Sequence, residues 1–274
     1  LKSTSKTVTV ELQGGLGNQL FGWAAGLGVS TEMNSALSLD ISKLQYRKYE
    51  LDSFRLDNFV DKTNVTNNMR NKFLKASSNF VESSFRYDER IRKIEKSVIL
   101  RGYFQSPKYF QSVTELVRSR VVLKNETREY LNLESMIKKD KTLAVHVRRG
   151  DYVGLQNYHG LTSENYFNNA ISFAKRTTNF DGIVVFSDDI ETAKSVIPAA
   201  DVYVSSEQLP SPAENLILMS KCSALIGSNS SFSWWAAYLG DNPSAIRIFP
   251  RPWFSEKNLD TRDLLFDHWF TLGI

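Results

Sequence analysis

Val8-Thr-Val-Glu-Leu12 runs directly into Gln13-Gly-Gly-Leu-Gly-Asn-Gln19, and a helix-like stretch continues from there to about Glu32. The first segment alternates and is rich in β-branched residues, which predicts a strand. The glycines predict a tight turn, and Ala36 to Asp40 reads as the next strand. Strand, Gly-rich turn, helix and strand in that order open an α/β fold with parallel strands.

The same theme returns further along. Val98 to Phe104 reads as a strand, with a turn at Pro107 and a helix around Ser112 to Arg120. Glu126 to Lys138 reads as a helix, Thr142 to Val147 as a buried strand, and Ser163 to Arg176 as a helix. Gly182 to Phe186 and Ala224 to Gly227 read as strands, Pro212 to Cys222 and Phe232 to Leu239 as helices, the last stopped by Gly240. Between the halves, Asp61 to Ser97 is polar and charged, with weak helical periodicity. At roughly 150 residues per domain, the 274 residues predict two α/β domains facing a cleft. They are taken as 1–120 and 121–274, with the junction between Pro107 and Asn125.

Composition excludes several classes. With 42% hydrophobic and 23% charged residues the chain is neither disordered nor fibrous. No apolar run approaches the ~20 residues that span a bilayer. The chain opens on Leu1, so an upstream anchor could have been trimmed. Cys222 is alone, which rules out an internal disulfide and fits a reducing compartment. A bacterial-type cytoplasmic location is favoured, with the Golgi lumen as the alternative. Sequons at Asn64, Asn125 and Asn229 would matter only in a secretory pathway. The excess of 34 basic over 30 acidic residues is spread out, and Arg86 to Arg101 interleaves both signs, which argues against nucleic acid as a partner. Three histidines and one cysteine make no zinc pattern, and no Asp-x-Asp occurs.

Five stretches could carry chemistry. Gly14-Gly-Leu-Gly-Asn18 lets backbone approach an anion at a helix N-terminus, or is simply a tight turn where helix meets sheet. Its spacing is neither a dinucleotide fingerprint nor a P-loop. His146-Val-Arg-Arg-Gly-Asp-Tyr152 ends an apolar strand, where two arginines are costly unless they meet an anion. A guanidinium offers a fixed fork suited to phosphate, and Asp151 is placed to orient one of them; the alternative is a structural Arg–Asp pair. In Ser187-Asp188-Asp189, Asp188 and Glu191 fit a helix capping box. Ser211-Pro-Ala-Glu214 reads as N-cap, Pro start and Glu at the third position, or as a carboxylate facing a guanine edge, with the cap favoured. In Gly227-Ser-Asn-Ser-Ser-Phe-Ser-Trp-Trp235, Ser231 is the natural N-cap of a helix whose start invites phosphate, and Trp234 and Trp235 are taken as core.

Four of these stretches together resemble the α-1,2-fucosyltransferase family. They are Gly-Gly-Leu-Gly-Asn-Gln at 14–19, His-Val-Arg-Arg-Gly-Asp-Tyr at 146–152, Phe-Ser-Asp-Asp at 186–189 and Ser-Asn-Ser-Ser-Phe-Ser-Trp-Trp at 228–235. The resemblance implies paired Rossmann-like halves of GT-B type. It implies inverting transfer of fucose from GDP-fucose to the 2-hydroxyl of a galactose-type glycan acceptor, with no metal or other cofactor. The C-terminal half would hold the donor and the N-terminal half would choose the acceptor. Arg148 would grip the β-phosphate, joined by backbone around Gly15, Gly17 and Asn18 and by Ser230, Ser231 and Phe232. His146 would lie near the guanosine, Arg149 and Asp188 in the donor site, and Glu214 on the guanine N–H edge, against the residue-level preference for a cap. For the base, Asp151, His159 and Asp40 are candidates. Gln156 stands where some related fucosyltransferases have Glu, and it cannot serve. The expectation is that no dedicated strong base exists and that the departing phosphate takes the proton. The alternatives are transfer of another GDP-sugar or to another hydroxyl, or a catalytically silent GDP- or glycan-binding protein.

Overall fold

A computed structural model describes residues 6–44, 47–56, 60–62, 78–137, 141–149, 162–240, 242, 244–256 and 258–274. The chain divides into two units: residues 1–122 with Asp260–Leu265, and Leu123–Leu259 with Phe266–Ile274.

Unit 1 is built on β1 (Thr7–Glu11), β2 (Ala36–Asp40), β3 (Val60–Lys62), β4 (Ser78–Val81) and β5 (Val98–Arg101), in the order β3-β2-β1-β5-β4. Every pairing in this sheet is parallel, with Val10 level with Leu39 on one side and Leu100 on the other. The helix α1 (Leu16–Glu32) is buried along all but Asn18, Thr31 and Glu32, as expected of a helix apolar on every face. It starts at the Gly-rich turn, where Gly14 has φ +72°, a backbone that L side chains rarely adopt. Further along, a Cβ on Gly28 would sit 2.4 Å from the Tyr109 carbonyl oxygen, so the helix can approach that segment only with glycine there. A short α2 (Thr114–Arg120) follows β5.

Unit 2 comprises α3 (Arg128–Met136), β6 (Thr142–Val147), α4 (Glu164–Thr177), β7 (Gly182–Ser187), α5 (Ile190–Val196), β8 (Val202–Ser205), α6 (Pro212–Ser220), β9 (Ala224–Ile226), α7 (Ser231–Leu239), β10 (Arg247–Arg251) and β11 (Phe270–Gly273). The strand order is β11-β10-β9-β6-β7-β8, again all parallel. All six residues of the central β6 are buried, which is why it reads as a continuous apolar run rather than an alternation. Tyr166 on α4 crosses the sheet core to donate its hydroxyl to the Gly227 carbonyl at 2.7 Å. Trp234 and Trp235 are fully buried, and Trp234 stacks on Tyr238 at 5.2 Å, so both tryptophans are core.

Several elements differ from the sequence expectation. Among its described residues the Asp61 to Ser97 stretch contributes strand at both ends of its sheet and a short 3-10 helix at Glu89–Lys93, and β8, β10 and β11 were not anticipated. Asp260–Leu265, grouped by sequence with the C-terminal half, belongs to unit 1. The reason is Asp263, whose carboxylate accepts from Arg86 Nε at 2.6 Å, Lys108 Nζ at 2.7 Å and the Tyr87 N–H at 3.0 Å. The sequon at Asn229 is buried, with its amide donating to the Trp253 carbonyl at 3.0 Å, so the folded chain does not present it. Cys222 is a buried thiol, pushed up to about 12 by burial.

Candidate active site

In a parallel sheet every carboxyl end lies on one edge, and ligands of α/β folds gather there. β9, β6 and β7 are consecutive neighbours in the unit 2 sheet. Their carboxyl ends lead into Ser228-Asn-Ser230, His146-Val-Arg-Arg149 and Ser187-Asp-Asp189 respectively. Three motifs far apart in sequence are thereby brought side by side.

Asp188 organises the centre of this edge. One carboxylate oxygen, Oδ2, pairs with Arg148 Nη1 at 3.1 Å, and the other accepts the Arg149 backbone N–H at 2.9 Å. Both partners of the ion pair are roughly a quarter exposed, so the pair is only partly screened by water. The helix cap expected of Asp188 is made instead by Asp189, whose carboxylate accepts from the Thr192 N–H at 3.0 Å and the Thr192 hydroxyl at 2.6 Å. A one-residue shift of the cap is what leaves Asp188 to the arginines. Ser187 ties the two strand ends together, donating its hydroxyl to the Val147 carbonyl at 2.8 Å and accepting the Asp189 N–H at 3.0 Å. Burial pulls the Arg149 guanidinium below its ordinary value, with Asp189 and Asp188 opposing that shift.

His146 is buried on the last turn of strand before the arginines, and its Nδ1 lies 3.1 Å from the Ser228 hydroxyl. Burial first, and Arg148 second, push it down to about 3, so the imidazole is neutral at physiological pH. Its ring lies 5.4 Å from that of Phe232. The N-cap of α7 is Ser230, whose hydroxyl accepts the Phe232 N–H at 3.3 Å; Ser231, expected to cap, is the first helical residue. The exposed amides of this helix start therefore lie one residue earlier than the sequence suggested.

His146, Arg148, Asp188 and Phe232 line one cavity of about 130 Å³. Its far wall is Ser206, Leu209, Pro210 and Asn215, which the sequence did not single out. Asn215 is held there by its own amide, which donates to the Leu209 carbonyl at 2.6 Å and the Ser211 carbonyl at 2.9 Å. The Asn215 position could have been suspected, since it follows the capped start Ser211-Pro-Ala-Glu214 by one residue.

Glu214 is engaged at two helix starts. Ser211 does cap α6, accepting the Glu214 N–H at 3.3 Å. The Glu214 carboxylate, however, is buried and is not among the residues lining the cavity. It accepts the Thr127 N–H at 2.6 Å and the Thr127 hydroxyl at 3.0 Å, fastening the N-cap of α3 to α6.

Gly15, Gly17 and Asn18 lie in unit 1, at the start of α1. Gly15 is the N-cap position without a side-chain cap, and the Asn18 Oδ1 accepts from Gln105 Nε2 at 2.8 Å. Asp40 ends β2, where its Oδ1 accepts the Ser42 N–H at 2.9 Å. Asp151 and His159 lie outside the described residues, as does Gln156. Among the described residues no three His, Cys, Asp or Glu side chains come together as a metal-holding group. No helix among them is long and apolar enough to cross a membrane.

Two all-parallel Rossmann-like sheets, with arginines on the carboxyl edge of one, define a GT-B-type fold with a candidate anion site. Residues 1–272 match Glycosyl transferase family 11, and the chain belongs to that family and is a glycosyltransferase. It is 34% identical over 287 residues to an α-1,2-colitosyltransferase of Escherichia coli, covering 96% of this chain and 97% of that protein. It is 27% identical to a galactoside 2-α-L-fucosyltransferase of Caenorhabditis elegans, covering 87% of this chain and 70% of that one. Among solved structures, the fucosyltransferase NodZ from Bradyrhizobium superposes with a TM-score of 0.53 at 14% identity, covering 86% of this chain and 93% of NodZ, which bears on the fold alone.

Proposed function

We propose that the chain transfers L-fucose from GDP-fucose to the 2-hydroxyl of a galactose-type acceptor, with inversion at the anomeric carbon and without a metal ion. The observation that carries this reading is the Arg148–Asp188 pair, a guanidinium oriented by a carboxylate on the wall of a strand-end cavity. Breaking the bond between fucose and phosphate builds negative charge on GDP, which donors fixed in advance stabilise most effectively. Arg148 would take the β-phosphate, helped by Arg149 and by the amides at the start of α7. A neutral His146, its ring tilted against that of Phe232, would form part of the wall for the nucleoside without adding charge. Unit 1 would choose the acceptor. Asp151 and His159 stay as candidate bases, beside direct proton uptake by the departing phosphate. The named activities of the relatives support both a 6-deoxy sugar and the 2-hydroxyl, and the Escherichia coli relative supports a cytoplasmic enzyme.

The E. coli relative favours a second reading, transfer of colitose, because it matches this chain along nearly its full length. Colitose differs from fucose only in lacking the 3-hydroxyl. Rates with GDP-fucose, GDP-colitose and GDP-mannose and one β-galactoside separate the readings. Highest kcat/KM with GDP-fucose supports the proposal. Preference for GDP-colitose moves it to the second reading, and preference for GDP-mannose contradicts both.

A further inference from the structure

Unit 1 carries a larger cavity, about 560 Å³, whose walls include none of the residues assigned to the donor. It opens at the carboxyl ends of β1 and β5 beside the Gly-rich turn, and Glu11, Gly14, Lys43, Arg47, Arg101 and Tyr103 are among its walls. Three of these side chains are cations and one is a carboxylate. That carboxylate is already engaged, since Glu11 Oε1 lies 3.0 Å from Arg101 Nη2. A concave surface with such an excess of one sign concentrates ligands of the other.

The backbone that bears the cations is also held in place. Gln19, from the Gly-Gly-Leu-Gly-Asn-Gln stretch, is completely buried. Its Nε2 donates to the Lys48 carbonyl at 2.8 Å and the Gly14 carbonyl at 3.0 Å, and its Oε1 accepts the Glu50 N–H at 3.0 Å. Asp40 accepts the Ser42 N–H at 2.9 Å, and the Arg47 N–H donates to the Leu44 carbonyl at 2.7 Å. The loop bearing Lys43 and Arg47 is thus stitched to the Gly-rich turn at one end and to β2 at the other. A buried amide with three backbone bonds is a costly arrangement to break, and its effect is to hold the backbone next to these two cations.

We infer that this cavity binds a carboxylate or phosphate group carried by the acceptor glycan, so that the preferred acceptor is an anionic saccharide. The inference rests on unit 1 being the acceptor side of a fucosyltransferase. Guanidinium and ammonium groups meeting an anionic oxygen make the stronger class of hydrogen bond, which supplies discrimination against a neutral acceptor of the same shape.

The test compares matched disaccharides: β-galactosyl-glucuronic acid and β-galactosyl-glucose 6-phosphate against neutral β-galactosyl-glucose. Calorimetric binding to the full chain in the presence of GDP is measured alongside turnover with GDP-fucose. The expected result is at least ~10-fold tighter binding and higher kcat/KM for a charged disaccharide, a preference that shrinks in high salt. Lys43→Ala and Arg47→Gln should each cut the charged-to-neutral ratio by about 5-fold or more. Equal binding of charged and neutral disaccharides overturns the inference. So does a loss of GDP affinity in those variants as large as the loss for the charged acceptor, because the cations would then serve the donor's phosphates. If no galactoside is fucosylated at all, the proposed function fails, while the binding comparison still decides the inference by itself.

Discussion

Asp188 holds Arg148 by its side chain and Arg149 by its backbone, at 3.1 Å and 2.9 Å, so one carboxylate sets the position of both arginines that follow β6. Replacing it separates orientation from charge. Asp188→Asn keeps an acceptor for the Arg149 N–H but loses the ion pair. It should cost about 10- to 100-fold in kcat/KM, about 1.4 to 2.7 kcal/mol of transition-state stabilisation. Arg148→Lys should lose more than about 10-fold, since an ammonium cannot reproduce a two-point fork. Steady-state kinetics with GDP-fucose check both, and a kcat/KM within 2-fold of wild type for Asp188→Asn would remove the orienting role.

His146 makes stability fall in mild acid. Its folded value of about 3 lies well below the ordinary value of about 6.5 that it regains on unfolding. The unfolded chain therefore takes up a proton that the folded chain refuses, and stability drops as pH falls below about 6.5, towards 3. Between pH 7.5 and 5.5 the loss from this group should be about 1 kcal/mol. Glu82 works the other way. Burial pushes it up to about 7 despite N–H donation from Phe104 and Tyr103, so the stability it contributes in acid is lost as pH rises through 7. The difference between wild type and His146→Gln in denaturant midpoints across this range isolates the histidine. An identical pH slope in the two proteins would contradict the assignment.

Thr127 and Glu214 should behave as a structural pair. Thr127→Val removes both the cap of α3 and a donor to a buried carboxylate, with an expected loss of about 2 to 4 kcal/mol in unfolding free energy. GDP affinity should stay within about 3-fold of wild type in Glu214→Gln, because its carboxylate bonds to Thr127 and lines no donor cavity. A loss of GDP affinity beyond about 100-fold in Glu214→Gln, near 2.7 kcal/mol, would return this residue to the guanine edge.

Gly28 is a packing requirement rather than a flexible point. Gly28→Ala would drive a methyl group into the Tyr109 carbonyl, which is backbone and cannot rotate away. A loss of about 1 to 3 kcal/mol is expected, read as a lowered thermal midpoint. A variant as stable as wild type would mean that α1 can shift away from this segment freely.

The parts legible in sequence are those where burial is uniform or patterning is strict. Thr142–Val147 stands out because all six residues are buried, and β1 because β-branched residues alternate before glycines. The arginines stand out in the sequence because they end that apolar run. What was not legible depends on partners distant in sequence. β10 contains Arg247 and Pro250, which argue against a strand, yet Arg247 is buried, with Nε donating to the Ala237 carbonyl at 3.2 Å. Asp263 looks like any surface acid until Arg86, Tyr87 and Lys108 converge on it. The caps at Asp189 and Ser230 were each misplaced by one residue, because adjacent Asp-Asp and Ser-Ser pairs offer two equivalent oxygens and only backbone geometry chooses between them. For Asp188 that single residue changes a cap into the residue that positions Arg148.

The most direct measurement incubates the protein with GDP-fucose, excess EDTA and a panel of neutral and anionic β-galactosides, then determines linkage and anomeric configuration of the product by NMR. An α-1,2-linked fucoside formed at an undiminished rate in EDTA is the expected result. A product of another linkage, a rate abolished by EDTA, or GDP binding without any transfer would contradict it.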